Sequence, residues 1–162
     1  MMDEKKNNNE PDLSIILPTY NESLTIEKML DAITTIIPPK INTEILVIDD
    51  DSPDGTSKIV DLYIQKSKGD ISLRIHTRKG KRGLSSAVID GIGLARGKFV
   101  LNMDSDFVHP PQMILTMYDE LVNNGFDIVV GSRYVKGGKY EGWPLTRRLI
   151  SKMGNGLAGL LL

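Results

Sequence analysis

The chain of 162 residues contains no cysteine, which excludes disulfide bridges, thiolate metal sites and a cysteine nucleophile, and leaves the compartment unreadable from redox usage. Net charge is also nearly absent: 20 Lys and Arg stand against 21 Asp and Glu, a formal charge of -1. Without a general basic field, sequence-independent nucleic-acid binding is excluded as the main task, and no nucleic-acid partner is expected. No apolar run reaches the roughly 20 residues that a bilayer-spanning helix needs. Residues 1–12 are polar and Asn-rich, lack the apolar segment of a signal peptide, and read as a disordered leader. Neither a G-x-x-x-x-G-K-[ST] phosphate loop nor a G-x-G-x-x-G after the first strand is present, so neither a P-loop nucleotidase nor an ordinary dinucleotide dehydrogenase is supported. What is present, 40% hydrophobic and 25% charged residues, is the profile of one globular domain with enough apolar material for a core.

Short apolar runs alternate with segments of helical periodicity. Residues 13–17 read as a strand stopped by Pro18, with Asn21 as the N-cap of a helix carrying Ile26, Met29, Leu30, Ile33, Ile36 and Ile37. Residues 45–48 form a second strand, followed by Asp49, Asp50 and Asp51, a turn at 52–55, and a helix with Ile59, Val60 and Tyr63 on one face. A third strand, 71–77, leads into the basic loop 78–83, read as exposed, and a helix over about 84–95. A fourth strand, a helix with Met113, Ile114, Met117 and Leu121, and a fifth strand at 127–130 complete the pattern. Such alternation predicts an α/β fold with a mostly parallel sheet covered by helices on both faces. In that architecture ligands bind beyond the carboxyl ends of the strands, which is where each unusual polar cluster of this chain falls.

The fourth of these clusters is the most informative. The apolar run at 98–103 ends in Asp104-Ser105-Asp106, two carboxylates separated by one small residue. If the chain stays extended there, Asp104 and Asp106 point to one side and Ser105 to the other. Carboxylates so placed repel unless a cation lies between them, and hard oxygen ligands suit Mg2+ or Mn2+ bridging to a diphosphate. The competing reading is an acidic loop that caps the helix starting near Pro111.

The motifs in order, 17–22 (LPTYNE), 48–56 (IDDDSPDGT), Asp104-Ser105-Asp106 and 131–134 (GSRY), resemble the family-2 glycosyltransferases of GT-A fold. Within that family, Ser52-Pro53-Asp54-Gly55-Thr56, 131–134 and 142–151 (GWPLTRRLIS) are most similar to the dolichol-phosphate mannose synthases. The resemblance implies a Rossmann-like nucleotide-sugar-binding core at 13–143 and the start of a basic amphipathic acceptor helix at 144–162. It implies donor contacts from Pro18, Tyr20, Glu22, Ile48, Asp50, Asp104, Ser105, Asp106 and Arg133, and a metal held by Asp104 and Asp106. Arg147 and Ser151, one helical turn apart, match the residues that contact the lipid phosphate. Asp106, Arg133 and Arg147 are the expected catalytic set.

The activity implied is inverting, metal-dependent transfer of mannose from GDP-mannose to dolichyl (polyprenyl) phosphate, at the cytoplasmic face of a membrane and peripheral to it. Another nucleotide-sugar donor or acceptor would keep the same donor motifs, and a non-catalytic nucleotide-sugar-binding fragment would keep them too. Leu149, Ile150, Met153, Leu157, Leu160 and Leu161 recur at helical spacing beside Arg147, Arg148 and Lys152, a pattern suited to a membrane surface or to a helix packed on the sheet. The pattern stops in mid-helix, so a truncated chain is expected, and a homodimer through this helix is a further expectation. His76 and His109 are left as a strand and a loop residue. One departure from the family stands out: two residues after Asp106, where some relatives carry a metal-ligating Gln, this chain has Val108, which has no donor atom.

Overall fold

The computed structural model describes residues 10–67, 69, 71–132, 134–135 and 144–161. Its contacts divide the chain into one compact unit, Met1–Val129, and a second, Val130–Leu162.

The first unit is built on four parallel strands, β1 (Leu13–Thr19), β2 (Thr43–Asp49), β3 (Ser72–Thr77) and β4 (Phe99–Asn102), in the order β3-β2-β1-β4. The helices between and after them are α1 (Ile26–Ile36), α2 (Thr56–Lys66), α3 (Leu84–Leu94) and α4 (Met113–Asn123). Both β1 and β2 are buried along their whole length, so their apolar residues run continuously instead of alternating with polar ones. Alternate residues serve opposite faces. Leu13, Ile15 and Leu17 pack with Ile26, Met29, Leu30 and Ile33 of α1, Val60 of α2 and Ile114 of α4, whereas Ile16, Leu46 and Ile48 pack against Ala87 and Leu94 of α3. The four α1 side chains have no exposed surface, and burying each contributes about 1.5–3 kcal/mol. Truncating Leu30 to Ala would remove most of one such contribution and leave a cavity.

Helix α3 lies unusually close to the sheet. A Cβ on Gly91 would stand 2.6 Å from Ile16 Cγ2, so the glycine is what permits the approach. At the amino ends of the strands, buried Glu44 accepts hydrogen bonds from Ser14 Oγ (2.7 Å), Arg96 N–H (2.7 Å) and Arg74 Nη2 (2.7 Å). Burial alone would raise its pKa, but these donors together with the Arg74 charge hold it below the ordinary value.

Three expectations are corrected. Strand β1 continues through Pro18 to Thr19. Ile16 O accepts from Met103 N–H on the β4 side and Thr19 O from Asp50 N–H on the β2 side, so Pro18, two residues after Ile16, turns its nitrogen toward β4 where that strand has ended. No ladder bond is lost there, and proline is tolerated. Asn21 is not an N-cap: it takes φ 60°, and α1 begins after Thr25. Residues 127–130 form no strand, and the described sheet has four. Ile128 and Val130 are exposed there, with no neighbouring strand among the described residues to bury an apolar face.

In the second unit α5 (Leu145–Leu161) forms as the periodicity predicts. Tyr134 OH and Ser151 Oγ share a hydrogen bond. Leu145, Leu149, Ile150, Met153 and Leu157 are exposed. No helix among the described residues is long and apolar enough to cross a membrane.

Candidate functional site

The carboxyl ends of β1, β2 and β4 deliver their loops to one cleft of about 200 Å³, lined by Pro18, Thr19, Tyr20, Glu22, Asp50, Leu84, Ala87, Asp104, Ser105 and Asp106. Seven of the expected donor residues are brought together there: Pro18, Tyr20, Glu22, Asp50, Asp104, Ser105 and Asp106. Ile48 is not among the lining residues; its side chain is 0% exposed and belongs to the core under α3. Arg147 and Ser151 lie on α5 in the other unit. Arg133 lies outside the described residues.

The loops are locked by the side chains of 49–57. Asp49, fully buried, accepts from Thr19 Oγ1 (2.8 Å), Ser52 N–H (2.9 Å), Ser52 Oγ (2.6 Å) and Ser57 Oγ (2.6 Å). The β1 loop is then stitched to the β2 loop: Asn21 N–H donates to Ser52 Oγ (3.0 Å), Glu22 N–H to Thr56 Oγ1 (2.9 Å) and Ser23 N–H to Asp54 Oδ2 (2.9 Å). Asp54 also accepts from the N–H and hydroxyl of Thr56 at the start of α2. Although burial opposes it, these donors bring Asp54 down to about 2. Thus Ser52-Pro53-Asp54-Gly55-Thr56, read in sequence as a turn and as part of the family resemblance, is the scaffold that positions the loop carrying Tyr20 and Glu22.

Asp50 is held differently. The Arg78 side chain is 0% exposed; its Nε donates to Asp50 Oδ1 (2.7 Å), and its Nη2 makes an ion pair with the same oxygen at 2.5 Å. Gly83 N–H donates to Asp50 Oδ2 (2.8 Å). Arg78 also reaches Ser86 Oγ (2.9 Å), Asp90 Oδ2 (3.2 Å) and Gly83 O (3.1 Å). Burial opposes the charged guanidinium, yet Asp50 and Asp90 raise its pKa, and the bond from Arg78 holds Asp90 below its usual value. The expectation of an exposed basic loop therefore fails at its first residue, because a buried carboxylate draws Arg78 inward. The signal available in sequence was an arginine directly after a strand, at the carboxyl end where the other polar clusters fall.

The strand assignment ends at Asn102, Met103 N–H still donates to Ile16 O (3.2 Å), and bends begin at Ser105. Burial still alternates as expected of an extended run: Met103 and Ser105 are buried, whereas Asp104 and Asp106 are more open and both line the cleft. Ser105 Oγ is sealed from solvent without a hydrogen-bond partner, so its hydroxyl does not face the cleft opening. Val108 N–H donates to Asp106 Oδ1 (2.9 Å), and the residue is 52% exposed. Asp104 N–H donates to His109 Nδ1 (3.3 Å), which places this loop histidine beside the acidic pair. Among the described residues no group of three or more His, Cys, Asp or Glu stands ready to enclose a metal ion. The three described non-glycine residues with positive φ, Asn21 (60°), Asp51 (54°) and Phe107 (63°), all follow β1, β2 or β4. Such conformations cost about 1–3 kcal/mol each and cluster where function constrains the backbone.

A profile described as "Glycosyl transferase family 2" matches residues 14–160. The chain belongs to that family. It is 44% identical over 140 residues to a dolichol-phosphate mannosyltransferase from Pyrococcus furiosus, covering 86% of this chain and 38% of the relative. It is 35% identical over 141 residues to the dolichol-phosphate mannosyltransferase of Saccharomyces cerevisiae, covering 85% of this chain and 51% of the relative. The chain thus spans about half, or less, of the length of these relatives. Among solved structures it is similar to a mannosyltransferase from Pyrobaculum calidifontis in complex with GDP-Man and Mn2+, with 29% identity and a TM-score of 0.61, covering 70% of this chain and 33% of the other. The parallel sheet, its helices and the acidic cleft of this family-2 member agree with the GT-A architecture anticipated from its motifs.

Proposed function

We propose that this chain is the donor-binding part of a hexosyltransferase that moves mannose from GDP-mannose to dolichyl (polyprenyl) phosphate with inversion. The observation that carries this is the convergence of Tyr20, Glu22, Asp50, Asp104 and Asp106 on one cleft at the carboxyl rim of the sheet. The Tyr20 ring offers a stacking face for a base, and carboxylates such as Glu22 and Asp50 accept hydrogen bonds from a base edge or ribose hydroxyls. Asp104 and Asp106 form an all-oxygen donor pair that fits a hard divalent cation, Mg2+ or Mn2+. Such an ion, when bound, neutralises charge gathering on the departing diphosphate. Arg133 is assigned to the donor phosphates, and Arg147 with Ser151 to the phosphate of the acceptor. An acceptor phosphate oxygen forms the new bond to the anomeric carbon as the bond to GDP breaks. Because that oxygen is already anionic near neutral pH, no strong general base is required.

The exposed apolar residues of α5 beside Arg147 and Lys152 support a peripheral position at the cytoplasmic face of a membrane. The same apolar face supports self-association. Sedimentation at high concentration that finds only monomer would rule out that dimer. Thermal stabilisation by GDP-mannose compared with UDP-glucose, each with and without Mg2+ or Mn2+, tests the donor assignment. A larger effect of UDP-glucose overturns it. A second reading, nucleotide-sugar binding without transfer, rests on the same cleft residues, since Tyr20, Glu22, Asp50, Asp104 and Asp106 would serve binding alone. Binding and turnover measured on one sample separate the two.

A further inference from the structure

The loop between β3 and α3 contacts two cleft residues without lining the cleft itself. Its buried end, Arg78 with Gly83, holds Asp50. Its exposed end places the Arg82 guanidinium over the Tyr20 ring, 4.7 Å from the centroid. Tyr20 is 41% exposed, follows the end of β1, and among the described residues its hydroxyl has no hydrogen-bond partner. No described residue therefore holds the tip of the side chain, and the contact the structure shows on the ring is that of Arg82 with its face. Arg82 is well placed to restrain the ring, because the loop that carries it is pinned at both ends. Arg78 Nη2 donates to Gly83 O (3.1 Å), Gly83 N–H donates to Asp50 Oδ2 (2.8 Å), and Gly83 takes φ +128°, a conformation that favours glycine.

We propose that Arg82 is a positioning residue of the donor site, stacking on the face of Tyr20 turned away from the cleft so that the other face is presented to the nucleotide base. This rests on the donor-site reading above. Arg82 acts through the ring, so its contribution is the same whatever phosphates the ligand carries. A guanidinium stacked on an exposed aromatic ring corresponds to an effect of about two- to five-fold in affinity.

The test is calorimetric titration of the chain, without metal, by guanosine, GMP and GDP. Arg82→Ala is expected to weaken all three by the same factor, about two- to five-fold. Arg82→Lys should fall between wild type and Arg82→Ala, since lysine keeps the charge but not the planar stack. In a Tyr20→Ala background Arg82→Ala should cost nothing further. Thermal unfolding should be unchanged in the Arg82 variants, since both partners are at the surface. A loss that grows with phosphate number would show direct phosphate contact and overturn the proposal. A gain in affinity would show that Arg82 blocks the site, and no change would show an inert surface contact; either result also refutes it. If the wild-type chain binds none of the three ligands, the donor-site reading fails, and the role of Arg82 fails with it.

Discussion

Replacing Arg78 by Met is the most direct probe of how the site is held. The substitution keeps much of the buried length of the side chain but removes every donor. Asp50, with its side chain 7% exposed, would then keep only the Gly83 N–H as a partner among those described and would be left as a buried carboxylate without its counter-charge. Breaking a buried ion pair from one side typically costs about 3–5 kcal/mol. Asp90 adds little to this, because it is partly exposed and retains Lys81 at 3.4 Å. Against a total stability of about 5–15 kcal/mol the loss is large, and it corresponds to roughly 6–20 °C in melting temperature for a chain of this size. Removing the carboxylate as well, in Arg78→Met/Asp50→Leu, should restore most of the loss, since the penalty lies in the unpaired charge. Urea unfolding followed by circular dichroism, on wild type, both single variants and the double variant, completes the cycle. If Arg78→Met costs less than about 1 kcal/mol, or if the two substitutions are additive, the buried pair does not hold this loop as argued.

Asp106→Asn should abolish metal-dependent donor binding with the fold intact, since an amide oxygen can still accept the Val108 N–H; unchanged Mg2+ or Mn2+ dependence of GDP-mannose binding would refute the metal assignment. With Val108 in place of a ligating side chain, metal binding should be weak until the diphosphate is present, and Val108→Gln should tighten Mn2+ binding without donor, as read by calorimetry. Asp54 titrates lower in the folded chain, about 2, than the roughly 3.9 of an unfolded Asp. Its stabilisation is therefore complete above the unfolded value and lost as pH falls through about 2. Asp54→Asn should flatten the dependence of the urea midpoint on pH in that window. Gly97→Ala would bring a Cβ to 2.6 Å from the Ser14 backbone nitrogen, a contact no rotamer change relieves, and should cost about 3 kcal/mol or more in a urea titration.

Residues whose role depends on local pattern were legible in the sequence. Buried runs such as 45–48, the helical spacing of Ile26, Met29, Leu30 and Ile33, and polar clusters placed just after strands together specify a parallel sheet with a polar cleft at its carboxyl rim. Periodicity and strand polarity are properties of neighbours in the chain, so the chain displays them. Tertiary structure decided the features that depend on residues brought together from a distance. Arg78 reads as one more cation in a basic loop until the fold sets it against Asp50, 28 residues away. Ser52, Asp54 and Thr56 read as a turn until the β1 loop arrives to donate to them. Pro18 reads as a strand terminator until the neighbouring β4 proves to end before it. In each case the deciding energy is the pairing of a polar group, or the absence of a need to pair one, inside a low-dielectric interior, and that depends on which partner the folded backbone delivers.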